Sequence, residues 1–227
     1  MSAEAAESAA SGAAPRRGRR PMSERRRTLQ RLEISRAGIR LFREHGVAAT
    51  SGDQIAEAVG LSARTFWRWF RTKESCVEPV LSLSIAAFVA CLRRWPAERS
   101  LEQHLVADYR ADADAEPGDG ELVFDVVRMS AGEPALRAIW LVVQERAEPV
   151  LAAIVAERLG RDPDDVEVRV QAAALNAALR IATEDIAAAT ADGDQPSEEL
   201  RARLSATVRA ATRGVVAGDP VGPAGPG

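Results

Sequence analysis

Residues 51–73, SGDQIAEAVGLSARTFWRWFRTK, constrain the fold more than any other stretch, because they encode two short helices hinged at a glycine. Ser51 and Gln54 form a capping box for the first of them, and Ser62 caps the second. Gly60 permits the positive φ of the tight turn between them. Ile55 and Val59 share one helix face, Leu61 and Phe66 can close over it, and Ala56 is small where the helices must approach. Phe66 and Phe70, four residues apart, point inward together. That leaves Arg64, Thr65, Trp67 and Arg68 on or near an outward face.

The remainder also reads as helix, and strand-like alternation is absent. A first helix over 23–45 stops at Gly46 and carries the stripe Ile34, Ala37, Gly38, Leu41 and Phe42. Thr72 caps a fourth helix reaching about residue 94, with Pro79 expected to kink its second turn. Ser100 with Gln103 opens a fifth helix that fades in the acidic stretch 112–121. A sixth covers about 121–130, and a seventh covers 134–159. Asp162-Pro163 is expected to start the eighth, with proline at the first helical position. Residues 172–182 are apolar almost all round, as in a helix covered on several sides. Pro196 starts a ninth, with the stripe Leu200, Leu204, Val208, Ala211 and Val215. The expectation is an all-α chain of about nine helices: a three-helix domain over 23–72 and a larger helical domain over 73–217. Residues 1–22 and 218–227 are expected to be disordered tails.

Charge is divided along the chain. Residues 1–75 carry a net +7 and residues 76–227 a net −10, which suggests that the first part meets a polyanion and the rest does not. Of thirty basic residues only Lys73 is a lysine. No run of eighteen apolar residues occurs, so no membrane span is expected, and the arginine-rich start lacks the apolar core of a secretory signal. Cys76 and Cys91 lie about 22 Å apart on one continuous helix, too far to be bridged, which points to reduced thiols in a cytoplasmic protein.

The outward residues suit duplex DNA. Arginine pairs in bidentate fashion with guanine O6 and N7, and threonine reaches a base edge or a methyl group. Lys73 and the helix start at Ser51 offer a charge and N–H groups to phosphates. An ordinary helical hairpin with tryptophans in its core is the competing account, and two tryptophans flanking Arg68 argue against it.

Over about residues 29–76 the chain resembles the tetracycline-repressor (TetR) family of bacterial regulators. The likeness rests on Ile34, Ala37, Leu41-Phe42 and Gly46, then Thr50-Ser51, Ile55-Ala56, Gly60-Leu61-Ser62, Thr65-Phe66-Trp67, Phe70 and Lys73-Glu74. It implies DNA contacts from Thr50, Ser51, Thr65 and Trp67, a phosphate held by Lys73, and operator choice set by Ala63, Arg64 and Arg68. Three positions depart from the family pattern. Trp67 stands where tyrosine is usual, so that an indole N–H would face phosphate. Gly52 replaces an apolar residue and should loosen the first turn of its helix. Asp53 either reads a cytosine amino group or is a plain charge at the helix start.

The resemblance further implies a small-molecule effector pocket in the later helices and a homodimer joined through the eighth and ninth. Candidate pocket residues are Phe88, His104, Tyr109, Phe124, Arg128, Trp140, Gln144 and Asn176. For His104, Phe124 and Trp140 plain packing is the competing role, and for Arg128 a surface position. Asn176 in its apolar run could bond across the dimer, contact an effector or satisfy nearby backbone. A diffuse pattern from Arg64 to Arg180 is similar to the family branch that binds acyl-coenzyme-A-like ligands, which favours an acyl or other largely apolar effector.

No catalytic, metal or cofactor motif occurs. Asp112, Asp114 and Glu116 begin like a calcium loop, but Pro117 and Val123 occupy the positions that need glycine and glutamate. The expected function is a dimeric repressor on a near-palindromic operator in double-stranded DNA, released by its effector. The alternative is a helical carrier or enzyme that does not read DNA.

Overall fold

The computed structural model describes residues 24–96, 98–99, 101, 103–104, 118–190 and 206. Among them are seven α-helices and no strand. They are α1 (Glu24–His45), α2 (Gly52–Ala58), α3 (Ala63–Trp69), α4 (Glu78–Arg93), α5 (Asp119–Ser130), α6 (Pro134–Leu159) and α7 (Val166–Ala189). A 3-10 turn, Glu74–Val77, joins α3 to α4. Seven helices replace the nine expected: most of the fifth and nearly all of the ninth lie outside the described residues, as do both tails.

Helix α1 stops where expected, with Gly46 at φ +84. Its buried face holds Leu32, Ile34, Ile39 and Phe42, together with Ser35, Arg36 and Gly38. A Cβ added to Gly38 would lie 2.5 Å from the Cys76 sulfur, so this glycine lets α1 close on the 3-10 turn. Neither cysteine is in a disulfide and both are buried, and burial, with Glu74 adding, pushes the Cys76 thiol far above its ordinary range.

Two helix starts differ from the sequence reading, and each lies beside a proline. Pro79 does not kink α4; it lies in the helix's first turn, where the missing N–H has no intrahelical partner to lose. Thr72 caps the 3-10 turn instead: the Ser75 N–H donates to Thr72 Oγ1 at 3.1 Å and the Ser75 hydroxyl to the Thr72 carbonyl at 2.7 Å. Pro163 does not open α7. Asp162 takes the Asp164 N–H at 2.8 Å in a local turn, and Asp165 caps the helix by accepting from the Glu167 N–H at 3.0 Å.

One apolar core runs from the three N-terminal helices into the body. It joins Ile34, Phe42, Ile55, Phe66 and Phe70 to Val80, Val126, Leu136 and Trp140. A second cluster, with Leu92, Trp95, Leu101, Leu151, Val155 and Leu175, holds the distal ends of α4, α6 and α7 together. The segment Glu74–Arg93 has the length and mean hydropathy, 1.9, of a membrane span, but here it is docked into these cores through Val80, Leu81, Val89, Cys91 and Leu92. The run 172–182 is not covered all round. Ala174 is exposed and Ile181 is 43% exposed, in line with Val166 and Val170 on an open face of α7.

Candidate nucleic-acid interface

Two capped helices set the position of the outward face. At α2 the Ser51 hydroxyl accepts from the Gln54 N–H at 3.2 Å, and the Gln54 side chain accepts from the Ser51 N–H at 2.7 Å. The Ser51 N–H is therefore bound internally, although the side chain remains exposed. Gly60 turns the chain at φ +65, and Ser62 caps α3 through the Thr65 N–H at 3.3 Å. Phe66 and Phe70 are buried beneath α3, which fixes which way the other side chains point.

Arg64, Trp67 and Arg68 are exposed on the opposite side, and Ala63 and Thr65 are half-buried beside them. Neither guanidinium of α3 is held by an ion pair or hydrogen bond among the described residues. The Thr65 hydroxyl lies 2.9 Å from that of Ser62, which orients it without burying it.

Two expected DNA contacts are turned inward. Thr50 is buried and donates its hydroxyl to the Gly46 carbonyl at 2.9 Å, tying the α1–α2 loop to the end of α1. The Lys73 ammonium donates to the carbonyls of Val47 at 2.6 Å, Thr50 at 2.8 Å and Ala48 at 3.3 Å. An ammonium has three N–H donors, so this clamp on the loop accounts for all of them.

Trp67 also departs from its expected orientation. Its indole N–H donates to Asp53 Oδ1 at 3.2 Å rather than being left open toward a phosphate. Gly52 does not simply loosen α2; it is buried under the indole ring.

The pocket candidates are dispersed. Tyr109 lies outside the described residues. Phe88 and Phe124 are half-buried against the two apolar clusters. His104 is buried with Nε2 at 2.9 Å from the Cys91 carbonyl, and it lines an open cavity of about 370 Å³ with Arg94, Pro96, Glu98 and Arg99. Asn176 satisfies nearby groups, donating to the Gln144 carbonyl at 3.0 Å and to Glu148 at 3.2 Å. Buried Gln144 thus serves Asn176 through its backbone. Trp140 is buried in the core and donates its N–H to Glu184 at 3.2 Å.

Arg128 is not a free surface residue. It donates to Asp125 at 2.5 Å and to the Ala187 carbonyl at 3.0 Å, beside a cavity of about 480 Å³. Arg137 and Glu184 line the same cavity, and the sequence reading missed both. Burial raises the Glu184 carboxyl, but hydrogen bonds from Arg137, Arg180 and Trp140 outweigh it and hold the group below its ordinary value. The reading also missed the strap between α1 and α5. Arg36 grips Asp119 through two bonds of 2.8 Å, both side chains buried, and Arg43 reaches Asp125 at 3.2 Å.

Both parts of the chain are similar to known proteins. Residues 34–80 match the model of bacterial regulatory proteins of the tetR family, and residues 100–218 match that of the MftR C-terminal domain. The HTH-type transcriptional regulator TcmR of Streptomyces glaucescens is 36% identical over 149 residues, a match spanning 62% of this chain and 66% of that regulator. Among solved structures, Salmonella enterica GusR shares the fold at a TM-score of 0.54 and 19% identity, over 85% of this chain and 98% of its own. With outward arginines on capped α3, buried phenylalanines behind it and family matches across both halves, the chain belongs to the TetR family of bacterial transcriptional regulators.

Proposed function

We propose that the chain is a sequence-specific DNA-binding repressor that leaves its operator when a small, largely apolar effector, acyl or other, binds. One observation carries the reading: Arg64 and Arg68 stand exposed and unengaged among the described residues on the face of α3 opposite Phe66 and Phe70. Charged donors held outward on a rigid, capped helix are what a major groove reads. In this reading Arg64, Thr65, Trp67 and Arg68 meet the groove, with Ser51 and Ala63 at its edge. Residues 23–72 form the reading head and residues 73–217 the body.

The protein works as a homodimer in the cytoplasm. The open face of α7, with Val166 70% and Val170 62% exposed, supports a subunit contact there. Two-fold symmetry then sets two heads about one helical turn of DNA apart, on a near-palindromic site. The cavity beside Arg128, Arg137 and Glu184, with Val127, Ala131 and Ala188 in its lining, supports a small, largely apolar effector. By linkage that effector binds the DNA-free form more tightly.

Genomic fragments selected by the purified full chain, then footprinted at several salt concentrations, test the reading. The expected result is a protected site with dyad symmetry and a log K that falls linearly with log salt. Uniform binding with no protected site, beside tight uptake of an apolar ligand, would overturn it in favour of a carrier.

A further inference from the structure

We propose that Gly52, Asp53 and Trp67 act as one specificity-determining unit, in which Asp53 is a charge filter against unmatched DNA. The inference rests on the DNA-binding reading above and adds the residues that reject wrong sequences. A Cβ built on Gly52 would lie 2.4 Å from Cζ2 and 2.8 Å from Cη2 of Trp67, and 2.9 Å from Cε1 of Phe66. No larger residue fits there unless the indole moves. Phe66 meets that indole edge to face, with centroids 4.9 Å apart and planes at 88°. Asp53 Oδ1 accepts the indole N–H at 3.2 Å. The ring thus has a floor, a wall and a tether, contributed by two different helices.

This arrangement has two consequences. The Trp67 donor that could reach a phosphate is engaged by the protein, and an exposed carboxylate is held beside the outward face of α3. A fixed negative charge on a surface that meets a polyanion weakens binding to every duplex. The loss is offset only where an exocyclic amino group, cytosine N4 or adenine N6, is presented to the carboxylate. Asp53 therefore selects by rejecting other sequences more than by attracting its own. Trp67 and Gly52 are positioning residues for it.

The test compares wild type, Asp53→Asn, Gly52→Ala and the double variant Gly52→Ala/Trp67→Phe as full chains. Each is titrated by fluorescence anisotropy against a duplex that wild type selects from a random pool and against a scrambled duplex of equal composition. Asp53→Asn keeps an oxygen for the indole N–H and removes the charge. Its affinity for the scrambled duplex should rise about three- to tenfold, while the selected-to-scrambled ratio falls at least about fivefold. Gly52→Ala should weaken selected binding and shift the preferred bases, and Trp67→Phe in that background should restore part of the loss by removing the two shortest contacts. Circular dichroism confirms that each variant is folded.

A ratio unchanged within about twofold in Asp53→Asn, or a loss of affinity for both duplexes, overturns the proposal. So does a Gly52→Ala variant with wild-type preference. A wild type that does not discriminate between the duplexes defeats the DNA-binding reading itself; a selective wild type with an unchanged Asp53→Asn ratio defeats the filter alone.

Discussion

Arg68 and Lys73 are both cationic and five residues apart, yet their surroundings differ. Arg68 is exposed on α3 with its guanidinium unengaged among the described residues. Arg68→Ala should cost about 1–3 kcal/mol on the preferred site and relax the preference at one base position, measured by titration against single-base variants of that site. Lys73 instead holds the carbonyls of Val47, Ala48 and Thr50. If its role is to clamp the α1–α2 loop, Lys73→Ala should lower stability to urea by roughly 1–3 kcal/mol and leave the salt dependence of DNA binding unchanged. A phosphate contact would give the reverse: little loss of stability and a salt slope shallower by about 0.9. The lone lysine could be found in the sequence, but its direction could not, because the carbonyls that hold it lie 23 to 26 residues away.

Short helices depend on their ends, and α3 is only seven residues long. Ser62→Ala removes the side-chain bond to the Thr65 N–H and the hydroxyl that orients Thr65. The expected loss is about 1 kcal/mol of stability, with a larger loss of site affinity because Thr65 is freed; thermal melts and titrations on the same variant separate the two. Caps of this kind are why α2 and α3 were legible in advance: donor and acceptor lie within three residues, so the sequence holds the whole interaction. Pro79 and Pro163 were misread for a related reason. A proline fits a helix start or a turn equally well, and the competing caps at Asp165 and Thr72 decide which it occupies. The outward face of α3 followed from the Phe66 and Phe70 spacing. The tether of Trp67 to Asp53 did not, because it joins residues 14 apart on two helices whose packing no local pattern specifies.

At the scale of the molecule, the head and body share an apolar core and are also strapped by charge. Arg36 and Asp119 are 83 residues apart and buried together, and Asp125 accepts from Arg43 of α1 through one oxygen and from cavity-lining Arg128 through the other. A chain of contacts therefore runs from the cavity wall to the helix that carries the reading head. Charged residues on α1 look like a solvated face in the sequence, so this link was not legible there. Arg36→Ala would leave the Asp119 carboxylate buried without its partner, and should cost about 3–5 kcal/mol in urea unfolding. Replacing both residues, Arg36→Met with Asp119→Leu, removes the unpaired charge and should bring stability back to within about 1–2 kcal/mol of wild type. Apolar contact lacks the direction of a bidentate pair, so the angle between α1 and α5 should loosen even in this stable variant. Operator affinity should then fall although stability has recovered. If affinity returns together with stability, the shared core alone orients the head, and the ion pair contributes nothing to how the two heads are spaced on DNA.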